Sequence, residues 1–147
     1  MDAVIAVTTD ADPDLQPLVA AQEAEVMARY DSDDSGPGLS AGTPCLLAHV
    51  GGRPVGCVAL AHLGTAVGEV KRMYVDPAAR GRRIGRLLLD AVEDLAVERG
   101  YRLLRLEAGT QQPEALRLYD SAGWSRIECY GYFKDHPSTV CFEKPLA

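Results

Sequence analysis

No apolar run among these 147 residues is long enough to cross a bilayer, so a membrane span is not expected. Met1-Asp2-Ala3 does not open a basic segment followed by an apolar one, so no secretory leader is expected and the cytoplasm is the expected location. Cysteine is scarce: Cys45, Cys57, Cys129 and Cys141 are all there is. None forms a CxxC pair and no Cys–His spacing matches a zinc site, so no metal is expected. Their neighbours are apolar, as in Cys45-Leu46-Leu47 and Val55-Gly56-Cys57-Val58. They read as buried, reduced thiols on strands, and a disulfide is not expected without export. There is no internal repeat and no long low-complexity tract. Positive charge is in deficit, 15 Lys and Arg against 21 Asp and Glu, and a net charge of -6 speaks against a nucleic-acid partner. What remains, 47% apolar and 24% charged residues, is the composition of one folded domain spanning 1–147.

The charge is unevenly placed. Residues 1–44 carry nine acids against the single base Arg29, whereas residues 71–86 carry six bases (Lys71, Arg72, Arg80, Arg82, Arg83, Arg86) against the single acid Asp76. Any account of function has to explain this basic island.

Hydrophobic spacing places the island on the fold. Val4 to Thr8 is a short strand. Residues 13–30 have helical periodicity, with Asp12 a possible cap and Pro13 near the start. The run 31–38 is loop by composition. Leu46 to Val50 and Val55 to His62 form a hairpin about Gly51-Gly52-Arg53-Pro54, and Val67 to Val75 is a third strand. On that strand a period of two places Glu69, Lys71, Met73 and Val75 on one face. Gly85 to Arg99 is an amphipathic helix stopped by Gly100. Leu103 to Glu107 is a strand, Pro113 to Ala122 a helix, and Ser125 to Tyr132 and Thr139 to Glu143 the last two strands. The order β-α-β-β-β-α-β-α-β-β predicts a mixed α/β layer, with a parallel crossover from Val67 to Glu107.

The island therefore lies where a strand runs through a loop into a helix. The first amides of a helix have no internal acceptor, and its dipole adds positive charge there. Gly81 and Gly85 let the backbone approach an oxyanion, and four arginines reinforce it. This chemistry suits a phosphate or pyrophosphate. No GxxxxGK[ST] is present, so the loop is not a nucleotide P-loop. Gly36 to Ala41 formally fits GxGxxA but contains Pro37 and follows no strand, which argues against a dinucleotide fingerprint. Gly38 to Gly42 formally fits GxSxG, and a serine hydrolase would need Ser40 and His136. A nucleophile elbow requires a strand before its serine and a helix after it, and neither is present here.

Arg80-Gly81-Arg82-Arg83-Ile84-Gly85, between a strand and an amphipathic helix, resembles the Q/R-x-x-G-x-G/A acyl-CoA motif of the GCN5-related N-acetyltransferases (GNAT). Arg83 stands where that motif has its first glycine. Residues 113–124 resemble the family's second signature, N-x-x-A-x-x-L-Y-x-x-x-G-F, with Gln112 in place of the Asn and Trp124 in place of the Phe. The resemblance covers about residues 45–143. It implies a GNAT-like mixed sheet with splayed central strands and helices on both faces, and acetyl transfer from acetyl-CoA to an amine without a metal. It implies cofactor contacts from Met73, Tyr74 and Val75 on the splayed edge, from Arg80, Gly81, Arg82, Arg83, Ile84, Gly85 and Arg86 at the pyrophosphate, and from Gln112 and Tyr119. It also implies that Met73 or its neighbour offers an oxyanion N–H, that Tyr119 is the general acid and that Glu69 is a base. Glu107 is a weaker base candidate, and His49, His62 and His136 read as structural or surface residues.

The resemblance also implies that the first helix, the loop after it and the last strands shape the acceptor pocket. Those parts carry Glu23, Glu25, Tyr30, the acids of 31–34, Tyr130, Tyr132 and Phe133, which suit a cationic amine. A small amine or amino acid is the expected acceptor. A peptide N-terminus and a non-catalytic acyl-CoA-binding module are the alternatives. A homodimer is possible through an exposed edge strand at 139–143.

Overall fold

Two consecutive glycines set the first half of the sheet. Gly51 and Gly52, at φ 58° and 78°, reverse the chain between β2 (Pro44–Val50) and β3 (Arg53–Gly64). The computed structural model describes residues 2–147. Besides these strands it contains β1 (Ala3–Thr9), α1 (Gln16–Arg29), β4 (Val67–Val75), a 3-10 turn at Pro77–Ala79, α2 (Ile84–Glu98), β5 (Leu103–Gly109), α3 (Pro113–Ser121), β6 (Ser125–Ile127) and β7 (Thr139–Pro145). The strands form one mixed sheet in the order β1-β2-β3-β4-β5-β7-β6, in which β4 and β5 are the parallel pair. Their pairing is brief: Val67 with Leu103, Gly68 with Leu104 and Glu69 with Arg105. Beyond Glu69 the two strands part, and this divergence creates the site.

Both faces of the sheet are covered. The α2 stripe of Ile84, Leu88, Leu89, Val92 and Leu95 packs on Leu46, Val58, Leu60, Val70, Leu104 and Leu106. Each of these large side chains, once fully buried, contributes about 1.5–3 kcal/mol. On the opposite face Leu15 and Leu18 cover Cys45, Leu47, Cys57 and Ala59.

Five expectations need correction. The first helix begins at Gln16 rather than Pro13: Leu15 is its N-cap and Pro17 falls in its first turn. Asp12 instead organises the turn before it, accepting the Thr8 hydroxyl (2.8 Å) and the Asp14 N–H (2.8 Å). The strand expected through Tyr132 ends at Ile127, because the chain then turns toward the open ends of β4 and β5. Two of the four cysteines are bridged, Cys129 to Cys141, with Cα atoms 5.2 Å apart, since β6 delivers Cys129 beside β7. Cys45 and Cys57 are buried free thiols, which burial pushes up to about 12. The 139–143 strand is not an edge, because β7 lies between β5 and β6.

A bulge in β4 overturns the expectation that Glu69, Lys71, Met73 and Val75 share one face. Cys57 pairs with Tyr74 but Ala59 pairs with Lys71, so two residues of β4, Arg72 and Met73, stand opposite Val58 alone. Arg72 takes up the extra residue with φ 56°. A bulge shifts the alternation by one. Glu69 and Lys71 therefore belong to the α1 face with Tyr74, whereas Met73 and Val75 pack with the α2 core.

Candidate functional site

Where β5 leaves β4, a cavity of about 560 Å³ opens between the two strands, the α2 N-terminus and α3. The 81–86 loop forms one wall. The first helical hydrogen bond runs from the Leu87 N–H to the Arg83 carbonyl (3.1 Å), so the amides before Leu87 have no helical acceptor. Gly81 (φ 84°) and Arg83 (φ 61°, ψ 21°) both adopt the left-handed conformation that curls this backbone into a concave row of donors. Arg83 thus holds the backbone shape that glycine adopts most easily, and its side chain is exposed. The other wall is the edge of β4 from Met73 to Val75, which β5 no longer pairs.

Two carboxylates and a phenol face the middle of the cavity. Glu69 is 8% exposed; its Oε2 accepts the Tyr130 hydroxyl at 2.6 Å and its Oε1 lies 3.7 Å from Lys71 Nζ. Glu107, on β5, accepts the Phe133 N–H at 3.3 Å. Burial first, and the neighbouring Glu69 charge second among the raising effects, hold its carboxyl above the usual range. A Cβ on Gly131 would meet the Glu107 carboxylate, so a larger residue there would have to displace that side chain. Tyr119 on α3 is packed against Trp124 and Phe142, with ring centroids 6.0 and 5.5 Å away. Burial alone pushes its phenol up to about 12.

Ion pairs bind the rim. Arg80 donates from Nε to the Val75 carbonyl (2.9 Å), lies over the Tyr74 ring and pairs with Glu25 at 2.7 Å. Arg29 joins Glu25 (3.1 Å) to Glu114 (2.6 Å), tying α1 to α3. The Tyr30 hydroxyl donates to Gln112 Oε1 (3.1 Å) and accepts the Gln111 N–H (3.2 Å). At the far end the loop after α1 closes on the 128–138 segment: the Tyr132 hydroxyl donates to Asp34 at 2.9 Å and Gly36 packs on Phe133.

Most residues expected at the site line this one cavity: Glu69, Met73, Tyr74, Val75, Arg80, Gly81, Arg83, Ile84, Gly85, Arg86, Gln112, Tyr119, Tyr30 and Tyr132. Three do not. Arg82 points to solvent. Glu23 is taken by Arg72, at 3.2 Å. Tyr130, expected on the acceptor wall, stands behind Glu69. Sequence reasoning missed the Arg29–Glu25–Arg80 chain, for which no local signal exists. The cavity also takes in His136, edge-on to Tyr30 at 6.4 Å.

Residues 8–124 match the model of the Acetyltransferase (GNAT) family. The chain belongs to the GNAT acetyltransferase family. It is similar to an IAA acetyltransferase of Azospirillum brasilense, 41% identical over 102 residues that cover 69% of this chain and 67% of that protein. It is 41% identical over 83 residues to the N-alpha-acetyltransferase RimI of Mycobacterium tuberculosis, covering 54% of this chain and 51% of the relative. These matches thus span between about half and two thirds of the relatives' own lengths. Among solved structures, one from Klebsiella pneumoniae described as an acyl-CoA N-acyltransferase superposes with TM-score 0.84 at 32% identity, covering 99% of this chain and 98% of that one. A GNAT acetyltransferase of Elizabethkingia anophelis, solved with acetyl-CoA bound, shares the fold at TM-score 0.75 and 20% identity, with 98% of each chain covered.

As a GNAT protein the chain is an acyl-CoA-dependent N-acetyltransferase, with acetyl-CoA as co-substrate. The residues present fit that molecule. Unpaired amides and arginines sit at one end of the cleft for phosphates, and an unpaired strand edge runs beside it for an amide-bearing chain. Among the described residues no helix is long and apolar enough to cross a membrane.

Proposed function

We propose that residues 1–147 form one cytoplasmic N-acetyltransferase domain that acetylates the primary amine of a small molecule or amino acid. One observation carries the reading: the parting of β4 and β5 gathers an anion cradle, a neutral phenol and two carboxylates around one cavity. Bound acetyl-CoA supplies the activated thioester. The amides of 81–86, with Arg80, Arg83 and Arg86, hold its phosphates, and the Met73–Val75 edge aligns its amide-bearing arm. The Met73 N–H is the oxyanion donor. The Tyr119 phenol stays protonated across the working pH range and holds its proton for the departing thiolate.

The base role that the sequence assigns to Glu69 is divided between two groups. Glu69, which accepts the Tyr130 hydroxyl and pairs with Lys71 at 3.7 Å, supplies negative charge that attracts an ammonium. Glu107, held above the usual carboxylate range, is the better matched proton acceptor. The closed loop at Asp34 and Gly36 leaves room for a small acceptor beside Tyr30 and Tyr132. A peptide N-terminus is the second reading, favoured by the likeness to an N-alpha-acetyltransferase.

The test is a thermal-shift titration with acetyl-CoA, followed by thiol release across panels of small amines, amino acids and peptides. A ligand that binds the native state alone must raise its stability. No shift at millimolar acetyl-CoA overturns the assignment of the cleft. A shift without thiol release on any panel favours a non-catalytic acyl-CoA-binding module. Preference for peptides over small amines favours the second reading.

A further inference from the structure

The segment after β6 contains no strand or helix of its own until β7 begins at Thr139, yet it supplies donors to both carboxylates of the site. The Tyr130 hydroxyl reaches Glu69 and the Phe133 N–H reaches Glu107. Tyr130 does not line the cavity, so it touches Glu69 from behind. Its ring lies 5.6 Å from the Arg105 guanidinium, which is itself paired with Glu143 at 3.2 Å. Burial and the Glu69 carboxylate raise the Tyr130 phenol well above its ordinary value, so it remains a donor. Hydrogen bonds from Tyr132 to Asp34 and from Thr110 to Ser138 hold the later part of this irregular segment, and a covalent bridge holds its start. Immediately before Tyr130, Cys129 is tied to Cys141, a buried residue of β7 paired with Glu107 on one side and with Ile127 on the other.

We propose that Tyr130 is a positioning residue for Glu69, and that the Cys129–Cys141 disulfide clamps it there, which makes the acceptor side of the site responsive to dithiol reductants. The inference rests on the reading of Glu69 and Glu107 as the amine-facing carboxylates. A dithiol acts by thiolate attack on Cys129 Sγ, the less buried sulfur. The S–S bond breaks, and Cys141 leaves as a thiolate and takes a proton. The second thiol of the reagent then closes on the mixed disulfide and releases Cys129. The protein gains two electrons and two protons, and the dithiol becomes a cyclic disulfide. Disulfides in proteins kept in reducing surroundings are usually transient and either catalytic or redox-sensing. Once the bridge is open, Tyr130 loses the covalent anchor next to it, while the α2 cradle on the other side of the cleft keeps all its contacts.

The experiment uses the full chain labelled with 13C at glutamate carboxyls, air-oxidised and then treated with dithiothreitol. Thiol alkylation counts the free cysteines, and the Glu69 carboxyl resonance is identified by its loss in Glu69→Gln. The expected count is two free thiols before reduction under denaturing conditions and four after it. Tyr130→Phe moves the Glu69 resonance, and reduction of the unsubstituted protein moves it the same way. Reduction of Tyr130→Phe moves it little further, and acetyl-CoA affinity by calorimetry stays within about twofold throughout. Cys129→Ser, less buried than Cys141, reproduces the reduced state without reagent. Four free thiols in the oxidised protein overturn the clamp. So does a Glu69 resonance that ignores reduction, or one that moves equally with and without the Tyr130 hydroxyl. Absence of acetyl transfer to every amine, with these shifts intact, counts against the proposed function and leaves the clamp standing.

Discussion

Replacing Arg83 with glycine should make the protein more stable while weakening its hold on acetyl-CoA. Arg83 caps α2 at φ 61° and ψ 21°. That conformation costs an L-residue about 1–2 kcal/mol, because its Cβ crowds the following carbonyl. Glycine escapes the cost but loses about 0.5–1 kcal/mol through the freedom of its unfolded chain. The Arg83 side chain is exposed, so little packing is lost with it. The net gain is about 0.5–1 kcal/mol, or a Tm rise of about 1–4 °C for a chain of this size. Arg83→Ala is the control, since alanine keeps the strained backbone and should show no such rise. Both variants lose one charge from the phosphate cradle and should weaken acetyl-CoA about fivefold, equivalent to about 1 kcal/mol. Differential scanning calorimetry and isothermal titration read the two effects separately. Equal Tm values for the glycine and alanine variants would refute the backbone argument. Unchanged affinity in both would remove Arg83 from the cradle.

Tyr119→Phe should lower kcat by roughly 100-fold or more while acetyl-CoA affinity changes little, because only the hydroxyl is lost and packing on Trp124 and Phe142 remains. Parallel losses in stopped-flow turnover and calorimetric affinity would make Tyr119 a packing residue. Glu107→Gln should abolish the acid limb of kcat/KM for the amine. In the unsubstituted enzyme that limb falls as pH drops through a carboxyl held above the usual range. A carboxyl raised in the folded state weakens the fold once the pH exceeds that range. The same variant should therefore raise Tm at pH 8, with the gain shrinking toward pH 4; a lowered Tm at pH 8 would contradict the assignment. Arg80→Ala should weaken acetyl-CoA about tenfold in calorimetry. It should cost less than about 1 kcal/mol of stability in urea titration, because its pair with Glu25 is partly solvated.

Much of the fold was legible because its signals are local. The α2 stripe, the glycine turn at 51–52 and the order of elements follow from periodicity and turn chemistry, which need only near neighbours. The phosphate cradle was legible for the same reason: loop, charge and helix start are contiguous in the chain. The bulge at Arg72 was not. Nothing in Lys71-Arg72-Met73 announces an extra residue, and only pairing with β3 shows it, yet it moves Met73 to the face opposite Glu69. Tyr130 shows the same limit: the family resemblance put it on the acceptor wall, and long-range contacts place it behind Glu69.

The sequence by itself determined the order of elements, the apolar faces and the basic loop that opens α2, because each depends on residues within a few positions of one another. Tertiary structure decided which carboxylate is held above its ordinary range, which tyrosines line the cavity and which cysteines meet. Glu69 and Glu107 become neighbours only because β4 and β5 start in parallel register and then part. Cys129 meets Cys141 only because β6 folds back along β7. Burial and distance between residues remote in sequence are properties of the packed sheet, and no local pattern encodes them.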